Sequence, residues 1–113
     1  MNGLTYLASP YSAPTARQRT MRYKKVCKKA AELMEKGELI FCPIAHSHPI
    51  ETIGMADRKS GDWWLRQDFA ILEKCSKLLV YKMKGWENSY GIKREIDFAE
   101  LAGIPVEYIE DLS

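Results

Sequence analysis

The succession of short apolar runs and amphipathic stretches predicts an α/β fold, a four- to five-stranded parallel sheet with helices on both faces in three layers. Two observations carry this expectation. Short apolar runs alternate with segments of helical periodicity along the whole chain. The stretches joining successive runs are long enough to hold a helix, which parallel strands need and tight hairpins do not.

The first run, Leu4-Thr5-Tyr6-Leu7-Ala8, is apolar and stops at Ser9-Pro10, where a strand should end. From Pro14 to about Lys36, the residues Tyr23, Val26, Cys27, Ala30, Leu33 and Met34 recur at three- and four-residue steps, and Gly37 supplies the stop. Leu39-Ile40-Phe41-Cys42 is a second strand closed by Pro43, completing a βαβ unit. The stretch from Ile44 to Gly61 holds Pro49, Gly54 and both histidines without a clear period, so it reads as a long loop with room for one helical turn. Asp62 to Cys75 is helical, with Leu65, Phe69 and Leu72 on one stripe, and Lys77 to Met83 forms a third strand centred on Leu78-Leu79-Val80. After the turn residues Gly85, Asn88 and Ser89 comes a helix with Ile92, Ile96, Ala99 and Ala102 on one face, ended by Gly103. Pro105 to Ile109 is the last strand.

Such a chain folds as a small Rossmann-like or flavodoxin-like sandwich with right-handed crossovers. Ligands of these sheets bind beyond the carboxyl ends of the strands, near the point where strand order reverses. The loops at Ser9, Pro43 and Lys84 are therefore expected to meet in one crevice. No repeat, low-complexity tract or linker divides the chain, so residues 1–113 form one domain.

Composition narrows the function. A chain of 113 residues with 46% hydrophobic and 28% charged side chains has the make-up of a globular domain, neither disordered nor membrane-spanning. The net charge of +2, from 17 basic and 15 acidic residues, is too even to imply a nucleic-acid partner. Arg17, Arg19, Arg22, Lys24, Lys25, Lys28 and Lys29 crowd one segment. They form a solvated helix face or help attract a small anion. Cys27, Cys42 and Cys75 are odd in number and lack the paired spacing of zinc or redox sites, which suits reduced, mostly buried thiols. The N-terminus has no secretory pattern, and no apolar stretch nears the roughly 18 residues of a membrane span. A cytoplasmic protein with no metal or other cofactor is expected, and a domain this small leaves a shallow site that a dimer could complete.

Two carboxylates lie on the wrong side of their helices. With Ile92 at zero on a wheel of about 100° per residue, Ile96 falls near +40°, Ala99 near −20° and Glu95 near −60°, inside the apolar stripe. Asp97 and Glu100 point elsewhere. With Leu65 at zero, Phe69 falls near +40°, Leu72 near −20° and Asp68 near −60°. Each acid sits in the N-terminal half of its helix, the end that opens onto the ligand crevice and favours negative charge. One reading is a helix-start acid escaping to solvent or pairing with a neighbouring cation. The other is a pair of carboxylates dividing nucleophilic and acid-base work, as glycosyl chemistry requires because its transition state resembles an oxocarbenium ion.

The string Ser89-Tyr90-Gly91-Ile92-Lys93-Arg94-Glu95, after a hydrophobic strand and Gly85-Trp86, resembles the S-x-G-x-x-x-E motif of the nucleoside 2-deoxyribosyltransferase-like superfamily. Tyr6-Leu7-Ala8-Ser9-Pro10-Tyr11 resembles its first strand and substrate loop, and Asp68 in Arg66-Gln67-Asp68-Phe69 its second site acid. The likeness runs over nearly the whole chain and is nearest to short members, several of them from phages. Where relatives often carry an acid, this chain has Ser76.

That resemblance implies Glu95 as the nucleophile at the anomeric carbon, Asp68 as proton donor or positioner of the leaving base, and Tyr6 as the residue orienting Glu95. It places a 5′-phosphate at Ser89 and Gly91, where free helix N-H groups make an anion site. Ser9, Pro10 and Tyr11 belong to its substrate loop, with Ser9, Ser12 and Arg17 or Arg19 as further phosphate contacts. N-capping is the alternative role for Ser12 and Ser89. From the residues themselves, His46 and His48 follow the strand-ending Pro43 and are expected to reach the crevice, His46 as a base contact or an acid-base group, or else as an exposed loop histidine bonded to backbone. Two histidines without supporting ligands do not make a metal site. Of Trp63, Trp64 and Trp86, the last is favoured for ligand proximity over packing. The implied function is an N-glycosidase of (2′-deoxy)nucleoside 5′-monophosphates, with base transfer as a variant. Transferases of the superfamily carry a longer C-terminal tail into a neighbouring subunit, so the end of this chain soon after Ile109 weighs toward hydrolysis, in a homodimer or higher homo-oligomer. The alternative is a nucleotide-binding or sensing module without turnover.

Overall fold

The computed structural model describes residues 3–112. Along the chain run β1 (Thr5–Ala8), α1 (Ala16–Glu35), β2 (Ile40–Phe41), α2 (Pro43–Gly54), α3 (Gly61–Leu72), β3 (Lys77–Lys82), a 3-10 turn (Trp86–Asn88), α4 (Tyr90–Leu101) and β4 (Val106–Glu110). The four strands form one sheet in the order β2-β1-β3-β4. Every pairing is parallel. The fold is the three-layer, Rossmann-like arrangement read from the alternation, with the strand order of flavodoxin-like sheets.

All four residues of β1 are buried, as a central parallel strand requires. Its two-residue period sends Tyr6 and Ala8 into a core with Leu72, Leu78, Val80 and Ile92, and Leu7 into an opposite core with Val26, Leu33, Leu79 and Tyr81. The first core is roofed by α3 and α4, where Phe69 and Phe98 stack with centroids 4.5 Å apart. The second is roofed by α1, with α2 packed on α1 and β1.

α1 starts at a capping box, in which the Thr15 hydroxyl accepts from Gln18 N at 3.2 Å and the Gln18 side chain accepts from Thr15 N at 3.2 Å. It stops before Gly37, whose φ of +96° only glycine adopts without strain.

Most boundaries differ from the sequence reading by one to three residues. β2 is only Ile40–Phe41, α3 ends at Leu72, and α1 begins at Ala16. The larger correction is the segment expected to be a loop, most of which is α2. Pro43 occupies the start of α2, where its missing N-H is not needed, and Pro49 removes one interior hydrogen bond. The buried residues of α2 are Pro43, Ser47, His48 and Glu51. A helix whose inner face is polar because it borders a crevice has no apolar stripe to announce it.

Candidate active site

Between β2 and β3 the chain crosses to the other side of β1, and a cavity of about 530 Å³ opens over the carboxyl ends of β1 and β3. Its floor and walls come from the loop after β1 (Ser9, Tyr11, Ser12), from α2 (Pro43, Ser47, His48, Glu51), from the segment Arg58–Gly61 leading into α3, and from Gly85 and Asn88–Gly91. The three loops expected to converge do so. A volume in the range of several hundred cubic ångströms suits a nucleotide-sized ligand.

Glu95 and Asp68 both reach this cavity, though each is more than nine-tenths buried. The buried Tyr6 hydroxyl donates to Glu95 Oε2, joining β1 to α4 across 89 residues of sequence. Burial pushes the Glu95 carboxyl up to about 8, with the Tyr6 hydrogen bond opposing and the Asp68 charge adding to the rise. Burial likewise pushes Asp68 up to about 7. Tyr6 is held well above its ordinary value by burial and then by Glu95. Burial thus favours the protonated form of both carboxyls toward neutral pH, and the charge of Asp68 adds to the rise at Glu95. Neither acid escapes to solvent, while Asp97 and Glu100 are exposed.

The β3–α4 side supplies hydrogen-bond donors. Ser89 caps α4 by accepting from Ile92 N at 3.2 Å, and the first-turn N-H groups at Tyr90 and Gly91 have no intrahelical acceptor. Beside them Arg22 lines the cavity, its Nη1 donating to Ser12 O at 2.8 Å and Nη2 to Lys84 O at 3.3 Å. Gly85 permits that approach. Its φ is +93°, and a Cβ there would meet Arg22 Nη2 at 2.8 Å. On the β1 side the buried Ser9 hydroxyl has no hydrogen-bond partner among the described residues. An orphaned buried hydroxyl in a cavity wall is a place for a polar ligand atom.

A family model described as a domain of unknown function, DUF1937, matches residues 3–111. The chain belongs to the DUF1937 family. No curated protein matches it in sequence. Among solved structures it is similar to a 2-deoxyribosyltransferase from the psychrotolerant bacterium Bacillus psychrosaccharolyticus, described as a biocatalyst for the synthesis of antiviral and antitumoral nucleosides. The TM-score is 0.66 at 17% identity, over 95% of this chain and 72% of the other. The resemblance read in the sequence is thus matched in the fold.

In this DUF1937 chain the site residues expected from sequence separate into those the crevice gathers and those it does not. Glu95, Asp68, Ser9, Tyr11, Ser89 and Gly91 line it, and Tyr6 stands directly behind Glu95. Pro10 is fully buried in the same loop without lining the cavity. Arg19 does not line the cavity either. Its Nη1 donates to Ala13 O at 2.8 Å, and Arg22, one helical turn later, holds the wall position.

His46 is exposed and packs on Phe41 at 5.9 Å, while His48 lines the cavity. The reason is that the segment is a helix, where residues two apart point in nearly opposite directions. Trp86 is also displaced. The left-handed turn at Gly85 carries it to Tyr108, 5.7 Å between centroids, and the tryptophan of the crevice is Trp64. Ser76 donates to Leu4 O at 3.2 Å, a local bond away from the cavity.

Sequence reasoning missed Glu51. Only 7% exposed, it accepts from Trp64 Nε1 at 2.7 Å and Lys59 N at 3.2 Å, and pairs with Arg58 Nε at 3.5 Å. The spacing Ser47, His48, Glu51 was its signal, since these share one helical face once α2 is recognised as a helix. Among the described residues no three His, Cys, Asp or Glu side chains are grouped to hold a metal ion, and no helix is long and apolar enough to cross a membrane.

Proposed function

We propose that the chain acts as a single deoxyribosyltransferase-like domain that cleaves the base-sugar bond of a (2′-deoxy)nucleoside 5′-monophosphate, with Glu95 as nucleophile. The observation that carries this reading is the Glu95 carboxyl, buried in a cavity wall, hydrogen-bonded by a buried tyrosine and coupled to a second buried acid. Such an arrangement holds a carboxylate in one orientation beside a proton donor, the two parts that two-step glycosyl chemistry needs.

In the first step a Glu95 oxygen bonds to the anomeric carbon as the bond to the base breaks, and Asp68 supplies a proton to the departing nitrogen base. A covalent glycosyl ester on Glu95 results. Water then attacks the same carbon, Asp68 takes its proton, and the ester bond breaks to restore Glu95 and release the sugar phosphate. A second base in place of water gives transfer. The reactive state carries one proton between the two acids, on Asp68; burial raises Glu95 the further of the two and favours that proton on Glu95, so the charge moves to Glu95 as cationic character grows at the anomeric carbon, with Tyr6 holding it. The phosphate fits the side bounded by Ser89, the first-turn N-H groups of α4 and Arg22, with Ser9 opposite.

The same burial favours a second reading, a nucleotide-binding module, because a Glu95 that stays protonated at neutral pH is no nucleophile. One experiment separates them. The protein is incubated with a panel of nucleosides and nucleoside monophosphates, with and without an acceptor base, and free base is measured by chromatography. Base release that Glu95→Ala abolishes, in a variant that remains folded, is the expected outcome. Binding without release supports the module, and no release from any substrate refutes the glycosidase.

A further inference from the structure

The sheet order gives the crevice two ends. β2 and β3 flank β1, so α2, which follows β2, and the start of α4, which follows β3, stand on opposite sides of it. The α4 side carries Arg22 and the free helix N-H groups; the α2 side carries an aromatic cluster built around His48. That imidazole is stacked on Tyr23 at 4.0 Å and 19°, meets Tyr11 edge-on at 5.7 Å, and has its Nδ1 2.7 Å from the Tyr11 hydroxyl. Residue 48 is 8% exposed, yet it lines the cavity, and its Nε2 has no partner among the described residues.

The Tyr11 contact bears on which ring nitrogen carries the proton. Arg19 lies close enough for its positive charge to act on both the Tyr11 hydroxyl and the His48 ring, and a guanidinium can only donate. In the tautomer that this contact supports, the Tyr11 hydroxyl gives its proton to His48 Nδ1 and the neutral ring carries its own hydrogen on Nε2. Burial depresses the imidazole's affinity for a second proton, which keeps the ring neutral near pH 7. Nε2 is then an N-H donor on a ring held by two tyrosines, with no acceptor among the described residues.

We propose that His48 is the base-recognition residue of this site, donating its Nε2 hydrogen to a ring-nitrogen or carbonyl acceptor on the nucleobase, while Tyr11 and Arg19 act as positioning residues that fix its tautomer. A donor at that point also stabilises negative charge as it develops on the departing base. The assignment rests on the proposed nucleotide substrate, whose phosphate would occupy the opposite end.

The test measures binding apart from turnover. Nucleoside 5′-monophosphates and ribose 5-phosphate, which lacks a base, are titrated into the protein by calorimetry, and the His48 ring nitrogens are followed by NMR. Nucleotides are expected to shift the Nε2-H signal and ribose 5-phosphate to leave it in place. His48→Phe, which keeps the ring stack but not the donor, should weaken nucleotides about tenfold and spare ribose 5-phosphate. His48→Gln should recover part of the loss, and Tyr11→Phe, which leaves the imidazole in place, should weaken nucleotides selectively if the first variant fails to fold. Nucleotide binding with Nε2 unmoved, or equal weakening of both ligand classes, overturns the assignment while the glycosidase reading stands. Binding that engages His48 without any base release overturns the glycosidase reading alone. If no nucleotide binds, both fall.

Discussion

Replacing Glu95 by glutamine should stabilise the ligand-free protein at neutral pH while removing its activity. The Glu95 carboxyl stands at about 8 in the folded chain against an ordinary 4.5. Between those values the unfolded chain releases a proton that the folded chain keeps, so stability is fully present below about pH 4.5 and falls as the pH rises toward 8. At pH 7 the shortfall is about 1.4 kcal/mol for each of roughly 2.5 pH units, on the order of 3 kcal/mol. Glutamine has no proton to lose and its Oε1 still accepts from Tyr6, so most of that penalty disappears. Glu95→Gln should therefore gain about 2 to 3 kcal/mol at pH 7 and almost nothing near pH 4, a rise of roughly 10 °C or more in midpoint for a domain of this size. Thermal and urea unfolding of both proteins from pH 4 to 8 reads this directly. Asp68, pushed up to about 7 from an ordinary 3.8, leaves a residual slope of comparable size between about pH 4 and 7 in the variant, so the Glu95 contribution is read as the difference between the two proteins. A variant no more stable than the parent at pH 7, or a parent whose stability is flat from pH 5 to 8, would refute the claim that folding buries Glu95 as a neutral acid. A stabilising change that abolishes activity is the pattern expected where a site residue is held at a cost to folding.

Three further outcomes follow from the geometry. Base release should rise as the pH approaches about 7 and fall above about 8, because the Glu95–Asp68 pair acts with one proton, and Tyr6→Phe, by removing the donor that favours ionised Glu95, should move the profile to higher pH and slow release about tenfold or more; a profile unchanged by Tyr6→Phe would count against the pairing. Gly85→Ala places a Cβ in a left-handed position 2.8 Å from Arg22 Nη2, so it should cost about 1 kcal/mol or more in unfolding free energy and weaken binding of ribose 5-phosphate, whereas unaltered phosphate affinity would free Arg22 of that role. Thr15→Ala, which breaks the capping box of α1 away from the cavity, should cost about 1 kcal/mol by urea unfolding and leave base release per folded molecule unchanged.

What the sequence alone determined was local. Strands announce themselves as apolar runs and helices as stripes because burial of one face repeats with the backbone period, so β1, α1, α3, β3, α4 and β4 were legible to within a few residues. The same logic exposed Glu95 and Asp68, since an acid inside an apolar stripe stands out wherever the helix is packed. It failed at α2, because a helix that turns Ser47, His48 and Glu51 toward a ligand cavity carries no apolar stripe. Reading that segment as a loop sent both histidines to the crevice, where the helix admits His48 and turns His46 away. Only the tertiary structure decided which distant groups meet: Tyr6 with Glu95, Tyr11 with His48, Arg22 with the Lys84 carbonyl, Trp86 with Tyr108. Those contacts depend on β1 lying between β2 and β3 and on the hand of the turn at Gly85. Strand order is fixed by the packing of the whole sheet and its covering helices, and no local period in the chain encodes it.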